Sequence, residues 1–597
     1  MNKYGKLSHR RHGLMDLSDI KDFEPVSGGG YNEDRMLHAA MARLTHGLSP
    51  ASLGAAAGDW LTHLVLSPGK QQQLGEKALR KLHRLGLYAM RYARTGCQPC
   101  IEPLPQDSRF RHPDWQQCPY NIIYQSFLLL QQWWWNATTE VRGVTPHHEQ
   151  VVTFVTRQFL DIFSPSNFPW TNPEVLRETM RSGGMNLFKG AANWWDDVER
   201  VAAGRRPEGA DDFEVGKTVA VTPGKVIFRN RLIELIQYRP ATARVYREPV
   251  LIVPSWIMKY YVLDLSPHNS LVRYLVRQGH TVFMISWKNP DASDRDLGMN
   301  DYLRLGVMAA LHAVTTVLPK RRVHAVGYCL GGTLLAIAAA CLGRDRDTRL
   351  RSLTLLASEV DFKEPGELSL FIDESQVSYL EDLMWDQGYL DGKQMAGAFT
   401  LLNSKDLVWS RIVRDYLIGR RRPLTDLMAW NADATRLPYR MHTEYLRNLY
   451  LRNELAEGRY EVGGKPVALG DIDLPLFAVG TVRDHVSPWR SVYRIHLLTD
   501  TEVTFLLTTG GHNAGVVSEP GHAHRSYQVA VRGRNAKYVD PDTWRATVPV
   551  KEGSWWPEWQ RWLAENSTGR VRPPTMGAPA RGCAPLEKAP GHYVLVP

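Results

Sequence analysis

A cysteine among small residues, in Gly327-Tyr328-Cys329-Leu330-Gly331-Gly332, is the group in this chain best placed for chemistry. It follows the apolar run Val323-His324-Ala325-Val326, which reads as a strand, and precedes Thr333 to Cys341, which reads as a buried helix. Small neighbours let the chain turn tightly, under strain, and lift the side chain clear of a sheet. A helix N-terminus beneath the sulfur favours negative charge and so the nucleophilic thiolate. The backbone N–H of Leu330 is then placed to donate to an oxyanion. The competing reading is a Gly-rich turn around a buried cysteine. The strand and helix on either side favour the nucleophile.

A thiolate of this kind needs a base and an acid to orient it, which in such sheets follow in the order nucleophile, acid, histidine. Asp484 lies in Gly480-Thr481-Val482-Arg483-Asp484-His485, just past the apolar run Leu476 to Val479. His512 lies in Gly510-Gly511-His512-Asn513-Ala514-Gly515, past the run Val503 to Leu507, with small neighbours that allow close approach. One helix and one strand fit between the two. His485 is the main competitor for the base, but its neighbour Asp484 stands where the acid belongs.

Cysteine in place of serine points to transfer. A thiol that takes an acyl group from a thioester makes another thioester, so the step is nearly thermoneutral and the acyl group stays activated. A hydroxyl can then receive it downhill. Coenzyme A to alcohol is the natural direction, although some cysteine enzymes of this architecture hydrolyse.

The elements that must hold these groups are also legible. Short apolar runs at Val250 to Val253, Thr281 to Ser286, Val323 to Val326, Leu353 to Leu356, Leu476 to Val479 and Val503 to Leu507 alternate with helical stretches. That pattern suits a parallel sheet covered on both faces. Together with the cysteine elbow it predicts an α/β-hydrolase fold. Thr218 to Val221 and Val226 to Phe228 read as two earlier strands around Pro223-Gly224. The stretch from Leu356 to Leu474 is too long for a plain loop and reads as an inserted helical lid. Upstream, Leu74, Ala78, Leu82 and Leu85 recur at helical spacing and predict one buried face. Phe127 to Trp135 and Val151 to Phe163 are further apolar stretches, ended by the breaker Ser164-Pro165-Ser166-Asn167-Phe168-Pro169. The expected organisation is a mainly helical N-terminal domain over 1–210, with about the first 30 residues mobile; a catalytic α/β-hydrolase domain over 211–570, with its lid at about 360–470; and an extended tail over 571–597.

Composition narrows the partners. The 597-residue chain carries a net charge of +10, which favours anionic ligands such as a coenzyme A ester, anionic lipid or nucleic acid. No nucleic-acid motif is present, and none is expected as a partner. The polar, basic start is not a secretory signal, and no apolar run is long enough to span a membrane, so a cytoplasmic protein is expected. Cys97 and Cys100 form a CxxC without a second pair at zinc spacing, so no metal site is expected. The tryptophans between Trp555 and Trp562 suit a packed core better than an exposed contact surface.

These residues resemble the polyhydroxyalkanoate synthases, from roughly Asp59 to the end. The marks are the elbow through Thr333, Tyr260-Tyr261-Val262-Leu263-Asp264-Leu265, Ser286-Trp287-Lys288-Asn289-Pro290-Asp291, and Asp406-Leu407-Val408-Trp409. Trp430-Asn431-Ala432-Asp433-Ala434-Thr435, Gly511 to Val516, Gly553-Ser554-Trp555-Trp556-Pro557, Asp59-Trp60-Leu61 and Ser164 to Asn167 complete the set. The resemblance implies a single-subunit enzyme that joins (R)-3-hydroxyacyl-CoA units into polyester. Cys329 would carry the acyl chain, His512 would be the base, and Asp484 would orient His512 or help activate the incoming hydroxyl. It implies no cofactor, a homodimer, and residence on the nascent polyester granule.

The chain departs from the pattern of many members at Met258, where they carry Asn, and at Asn403-Ser404, where they carry Arg-Pro. Trp256, Met258 and Asn403 are the expected coenzyme or substrate contacts, and the backbone near Trp256 and Ile257 the expected second oxyanion donor. Two alternatives stand beside this reading: a thioesterase or ester hydrolase of the same fold, and a granule-associated homologue of low activity.

Overall fold

The six apolar runs become six parallel strands at the centre of one eleven-stranded sheet in the computed structural model, which describes residues 28–95, 98–104, 107–392, 394–395, 397 and 408–597. In chain order the strands are β1 (Gly224–Arg229), β2 (Ile233–Tyr238), β3 (Val250–Val253), β4 (Val282–Trp287), β5 (Val323–Tyr328), β6 (Leu350–Leu356), β7 (Leu476–Thr481), β8 (Val503–Thr508), β9 (Ser526–Arg532), β10 (Val550–Glu552) and β11 (Glu587–Lys588). Their spatial order is β10-β9-β8-β7-β6-β5-β3-β4-β2-β1-β11. Strands β4, β3, β5, β6, β7 and β8 run parallel. The added strands at both ends pair antiparallel. Every residue of β3, β4, β5, β7 and β8 is buried. Leu251, Phe283, Ala325 and Leu353 feed one core, and Val250, Ile252, Met284 and Val326 the other. This is the α/β-hydrolase architecture read from the sequence.

Two elements differ from that reading. Thr218 to Val221 forms no strand, only an isolated bridge between Val215 and Val219. Strand β2 was not expected, because Glu234 and Gln237 interrupt its apolar pattern although both are buried. The C-terminal tail satisfies them. Glu234 accepts from Arg229 Nε (2.7 Å) and from the amides of His592 and Tyr593 (both 3.0 Å). Gln237 donates to Thr575 O (3.0 Å) and accepts from Gly577 N (2.7 Å). The tail is therefore docked, and β11 extends the sheet edge.

The N-terminal part is helical, as expected: α1 (Gly28–Leu44), α2 (Pro50–Val65), α3 (Pro68–Thr95), α4 (Tyr120–Thr138), α5 (Pro146–Ile162), α6 (Pro173–Ser182) and α7 (Met185–Ala202). Residues 1–27, the bulk of the segment expected to be mobile, lie outside the described residues, and α1 already includes Gly28 to Asn32. On α3 the buried face differs by part of a turn from the one read. Leu74 and Tyr88 are buried, but Leu82 is 66% exposed. Positions 74, 78, 81, 85 and 88 hold one face better than 74, 78 and 82, which drift off it at 3.6 residues per turn. Cys100 is buried with its thiol donating to Gln125 Oε1 (2.9 Å), and Cys97 lies outside the described residues. No described helix is long and apolar enough to cross a membrane.

The insertion between β6 and β7 contains the helix Glu374–Gln387 and several shorter ones, and the N-terminal helices clasp it. Ser49 N donates to Gln376 Oε1 (2.8 Å), and His38 pairs with Asp382 (2.8 Å). Asn186 and Asn193 on α7 donate to Leu417 O (2.8 Å) and Asp415 O (2.9 Å).

The turn after β5 shows why its residues are small. A Cβ on Gly331 would sit 2.2 Å from Val253 O and 2.4 Å from Pro254 O, both backbone atoms. A Cβ on Gly327 would sit 2.3 Å from Gly332 Cα. Gly331→Ala is expected to cost about 3 kcal/mol by overpacking against immobile backbone. Denaturant unfolding of the variant against the parent checks this, and an unchanged midpoint would contradict the contact geometry.

Candidate active site

Cys329 sits at the tip of that turn with φ +52° and ψ −127°, a conformation that L residues adopt only under constraint. The constraint is visible. Cys329 N donates to Leu356 O (2.9 Å), and Gly332 N and Thr333 N fold back on Cys329 O (2.9 and 3.3 Å). The helix Leu330–Arg344 starts at the next residue. Leu330 is its first residue, where an amide has no carbonyl of its own helix to reach.

His512 opens the one-turn helix His512–Val516 after β8. Gly515 presses on Thr481, where a Cβ would meet Thr481 Cγ2 at 2.7 Å. The indoles of Trp555 and Trp556 donate to Gly515 O and Val516 O (both 2.9 Å) and clamp the turn from behind. Those tryptophans are core, at 0% and 1% exposure.

Asp484 follows β7 and meets His512 across the sheet end, with Nδ1 at 2.9 Å from Oδ2 and 3.1 Å from Oδ1. Its side chain is fully buried. Oδ2 also accepts from Thr481 Oγ1 (3.0 Å), and Oδ1 from Val486 N (2.9 Å) and Ser487 N (2.8 Å). Burial alone would raise this carboxyl, but the charge and hydrogen bonds of His512 and the two amides hold it below the ordinary carboxylate range. Burial alone would lower the His512 imidazole, but the charge and hydrogen bonds of Asp484, together with the nearby Cys329 sulfur, outweigh it and hold it well above its usual 6.5. Sulfur, imidazole and carboxylate thus form one polar chain. His485 is exposed at the cavity rim.

The chain opens into a cavity of about 1200 Å³, larger than the roughly 300–1,000 Å³ of common small-molecule sites. Its walls come from the elbow, the insertion and the segment around α7. Ile257 and Met258 line it. The Ile257 amide donates to Ser255 Oγ (3.3 Å), so an oxyanion would have to displace that hydroxyl. The Trp256 side chain does not line the cavity. It is buried against Trp287 and Tyr302, with ring centroids 6.0 and 5.2 Å away, because the loop turns it into the core. Asn403, Ser404, Asp406 and Leu407 lie outside the described residues.

The segments that marked the family resemblance frame this loop. Thr435 Oγ1 donates to Trp256 O (2.6 Å), Trp430 Nε1 to Lys259 O (2.7 Å) and Tyr261 OH to Asp433 Oδ2 (2.9 Å). Lys259 Nζ donates to Val594 O (2.7 Å) and Val596 O (2.9 Å) of the tail. Residue-by-residue reading missed three groups near the sulfur. Tyr328 donates its hydroxyl to Asn513 Oδ1, while Tyr450 and Glu359 line the cavity. The one available signal was position, since Glu359 falls just past a parallel strand end.

Comparison with known proteins agrees in kind. A model described as the poly-beta-hydroxybutyrate polymerase N-terminus matches residues 106–275. A second, poly-beta-hydroxybutyrate polymerase N terminal, matches 32–70. The α/β hydrolase fold model matches 248–517. A poly(3-hydroxyalkanoate) polymerase of Methylorubrum extorquens is 39% identical over 584 residues, covering 97% of this chain and 94% of its own. The poly(3-hydroxyalkanoate) polymerase subunit PhaC of Cupriavidus necator is 37% identical, covering 82% and 83%. Among solved structures, the thioesterase domain from the curacin biosynthetic pathway aligns with 49% of this chain and 94% of its own, at 15% identity and a TM-score of 0.27.

Proposed function

Because this chain belongs to the poly(3-hydroxyalkanoate) polymerase family, we propose that it joins (R)-3-hydroxyacyl-CoA units into a polyester with release of coenzyme A. The observation that carries the chemistry is the Cys329–His512–Asp484 chain at a strained turn on a large cavity. His512 takes the thiol proton, and the Cys329 sulfur attacks the thioester carbonyl. The carbonyl oxygen, transiently negative, meets the Leu330 amide. The carbon–sulfur bond to coenzyme A breaks, and the leaving thiolate takes the proton from His512. A 3-hydroxyl then gives its proton to His512 and attacks the enzyme thioester, forming the ester bond and freeing the Cys329 sulfur. Asp484 keeps His512 in the tautomer whose Nε2 can accept these protons. Acyl exchange of this kind asks only for a thiolate and a proton acceptor, so the reaction is proposed to need no metal or prosthetic group.

Met258 on the cavity wall is the proposed coenzyme-side contact. A cytoplasmic homodimer seated on its polyester granule is part of the same proposal, supported by the family. The test is purified protein with (R)-3-hydroxybutyryl-CoA. Free coenzyme thiol should appear together with solvent-extractable polyester. Free hydroxy acid without polymer would make the protein a hydrolase of the same fold, and neither product would make it a granule-associated homologue without turnover.

A further inference from the structure

Glu359 lies three residues past β6, is 3% exposed, and lines the cavity into which Cys329 opens. Its main-chain carbonyl is fixed by Thr333 Oγ1 (2.7 Å), on the helix that follows the nucleophile. Its side-chain Oε1 has no hydrogen-bond partner among the described residues. The surrounding wall is aromatic: Phe362, Tyr445 and Tyr450 pack with ring centroids 4.8 to 6.3 Å apart. A carboxyl buried with an idle oxygen is costly. It is not needed by the polar chain, which is complete without it.

A second charge beside Asp484 would be costlier still. Burial first, then the charges of Asp484 and Cys329, push Glu359 well above the usual carboxylate range, and Asp361 adds to this while His512 opposes it. Burial and these charges favour the neutral carboxylic acid, the form that has an O–H to donate and a carbonyl to accept.

An acyl group held on Cys329 has two oxygens to place. The thioester oxygen meets the Leu330 amide, and the oxygen on carbon 3 remains. We propose that Glu359 is the subsite for that oxygen, donating a hydrogen bond to the 3-hydroxyl of a bound monomer or to the ester oxygen of a bound chain. The assignment rests on the polymerase reading and adds to it a residue that selects hydroxylated acyl groups over plain ones.

The test is the rapid first release of coenzyme thiol from (R)-3-hydroxybutyryl-CoA and from butyryl-CoA, by the parent protein, Glu359→Gln and Glu359→Leu. The ratio of the two acylation rates should fall by roughly tenfold in Glu359→Leu and stay within about threefold of the parent in Glu359→Gln, the worth of one neutral hydrogen bond. An unchanged ratio in Glu359→Leu, or an equal fall in both variants, overturns the assignment. A parent protein that releases no thiol from the hydroxylated substrate overturns the polymerase reading itself, which is a separate result. If the leucine variant does not fold, the infrared carbonyl stretch of the protonated carboxyl, identified by its loss in Glu359→Gln, decides. It should shift on acylation with the hydroxylated group and not with the butyryl group. A band indifferent to both sinks the idea.

Discussion

Cys329→Ala should lower coenzyme A release from an (R)-3-hydroxyacyl-CoA by at least about ten-thousand-fold, because removing the nucleophile of such a unit removes nearly all that the unit contributes. The fold should survive. Alanine keeps the Cβ at φ +52°, so the backbone strain of the turn is unchanged. The turn itself is set by glycines and backbone contacts that do not involve the sulfur. Loss of a partner to His512 is the main change, and an active site relieved of its reactive group is as often firmer as weaker. Thermal melts and thiol release measured on the same preparation separate the two effects. Mass spectrometry of the intact protein after brief exposure to substrate adds a direct readout: an acyl adduct on the parent and none on the variant. An adduct on the alanine variant would place the acyl carrier elsewhere.

Cys329→Ser makes the energetic argument visible. The serine would form an oxygen ester, and much of the driving force stored in the thioester would be lost at that step. Transfer to the next hydroxyl would then be nearly thermoneutral. The serine variant should accumulate an acyl adduct and make little or no polymer.

The sequence carried the fold's centre more clearly than its edges. The six parallel strands were legible because full burial makes each a short, continuous apolar run. Strand β2 was not, because its buried Glu234 and Gln237 are satisfied by the tail more than 300 residues away. No local pattern records that. The site follows the same rule. Cys329, Asp484 and His512 each stand at a strand end with small or turn-forming neighbours, so position and chemistry coincide in the sequence, and the structure brings the three together. Trp256 was misplaced as a cavity contact, because which side of a loop faces the core depends on partners such as Trp287 and Tyr302. Glu359 escaped notice because a lone carboxylate after a strand reads as a solvated end. Its burial comes from groups distant in sequence, among them Thr333 on the helix after the nucleophile and the cavity-lining Tyr445 and Tyr450 of the insertion.

Asp484→Asn should lower turnover by about a thousand- to ten-thousand-fold while leaving the protein folded. The hydrogen bonds dictate the direction. Oδ1 accepts from two main-chain amides, Val486 N and Ser487 N, which cannot turn away. The asparagine carbonyl must therefore take that position, and its NH₂ must take the position of Oδ2, facing Thr481 Oγ1 and His512 Nδ1. The threonine hydroxyl can rotate to accept. The imidazole can accept only by moving its proton to Nε2, which then cannot take one from Cys329 or from the incoming hydroxyl.

Stability should change with a defined pH signature. The lowered Asp484 contributes stability above its unfolded value of 3.8, lost as pH falls through the folded value. The raised His512 contributes stability below its unfolded value of 6.5, lost as pH rises through the folded value. Both contributions are present together between those two values. The parent should therefore exceed the asparagine variant by about 2 kcal/mol near pH 5 to 6, the scale of weakening a buried pair without emptying its place. The gap should narrow towards pH 3 and again in the alkaline range. Denaturant unfolding across that series, with thiol release at each pH, checks both halves. A gap that does not vary with pH would mean that Asp484 and His512 do not share charge in the folded protein, and the polar chain behind Cys329 would lose its acid.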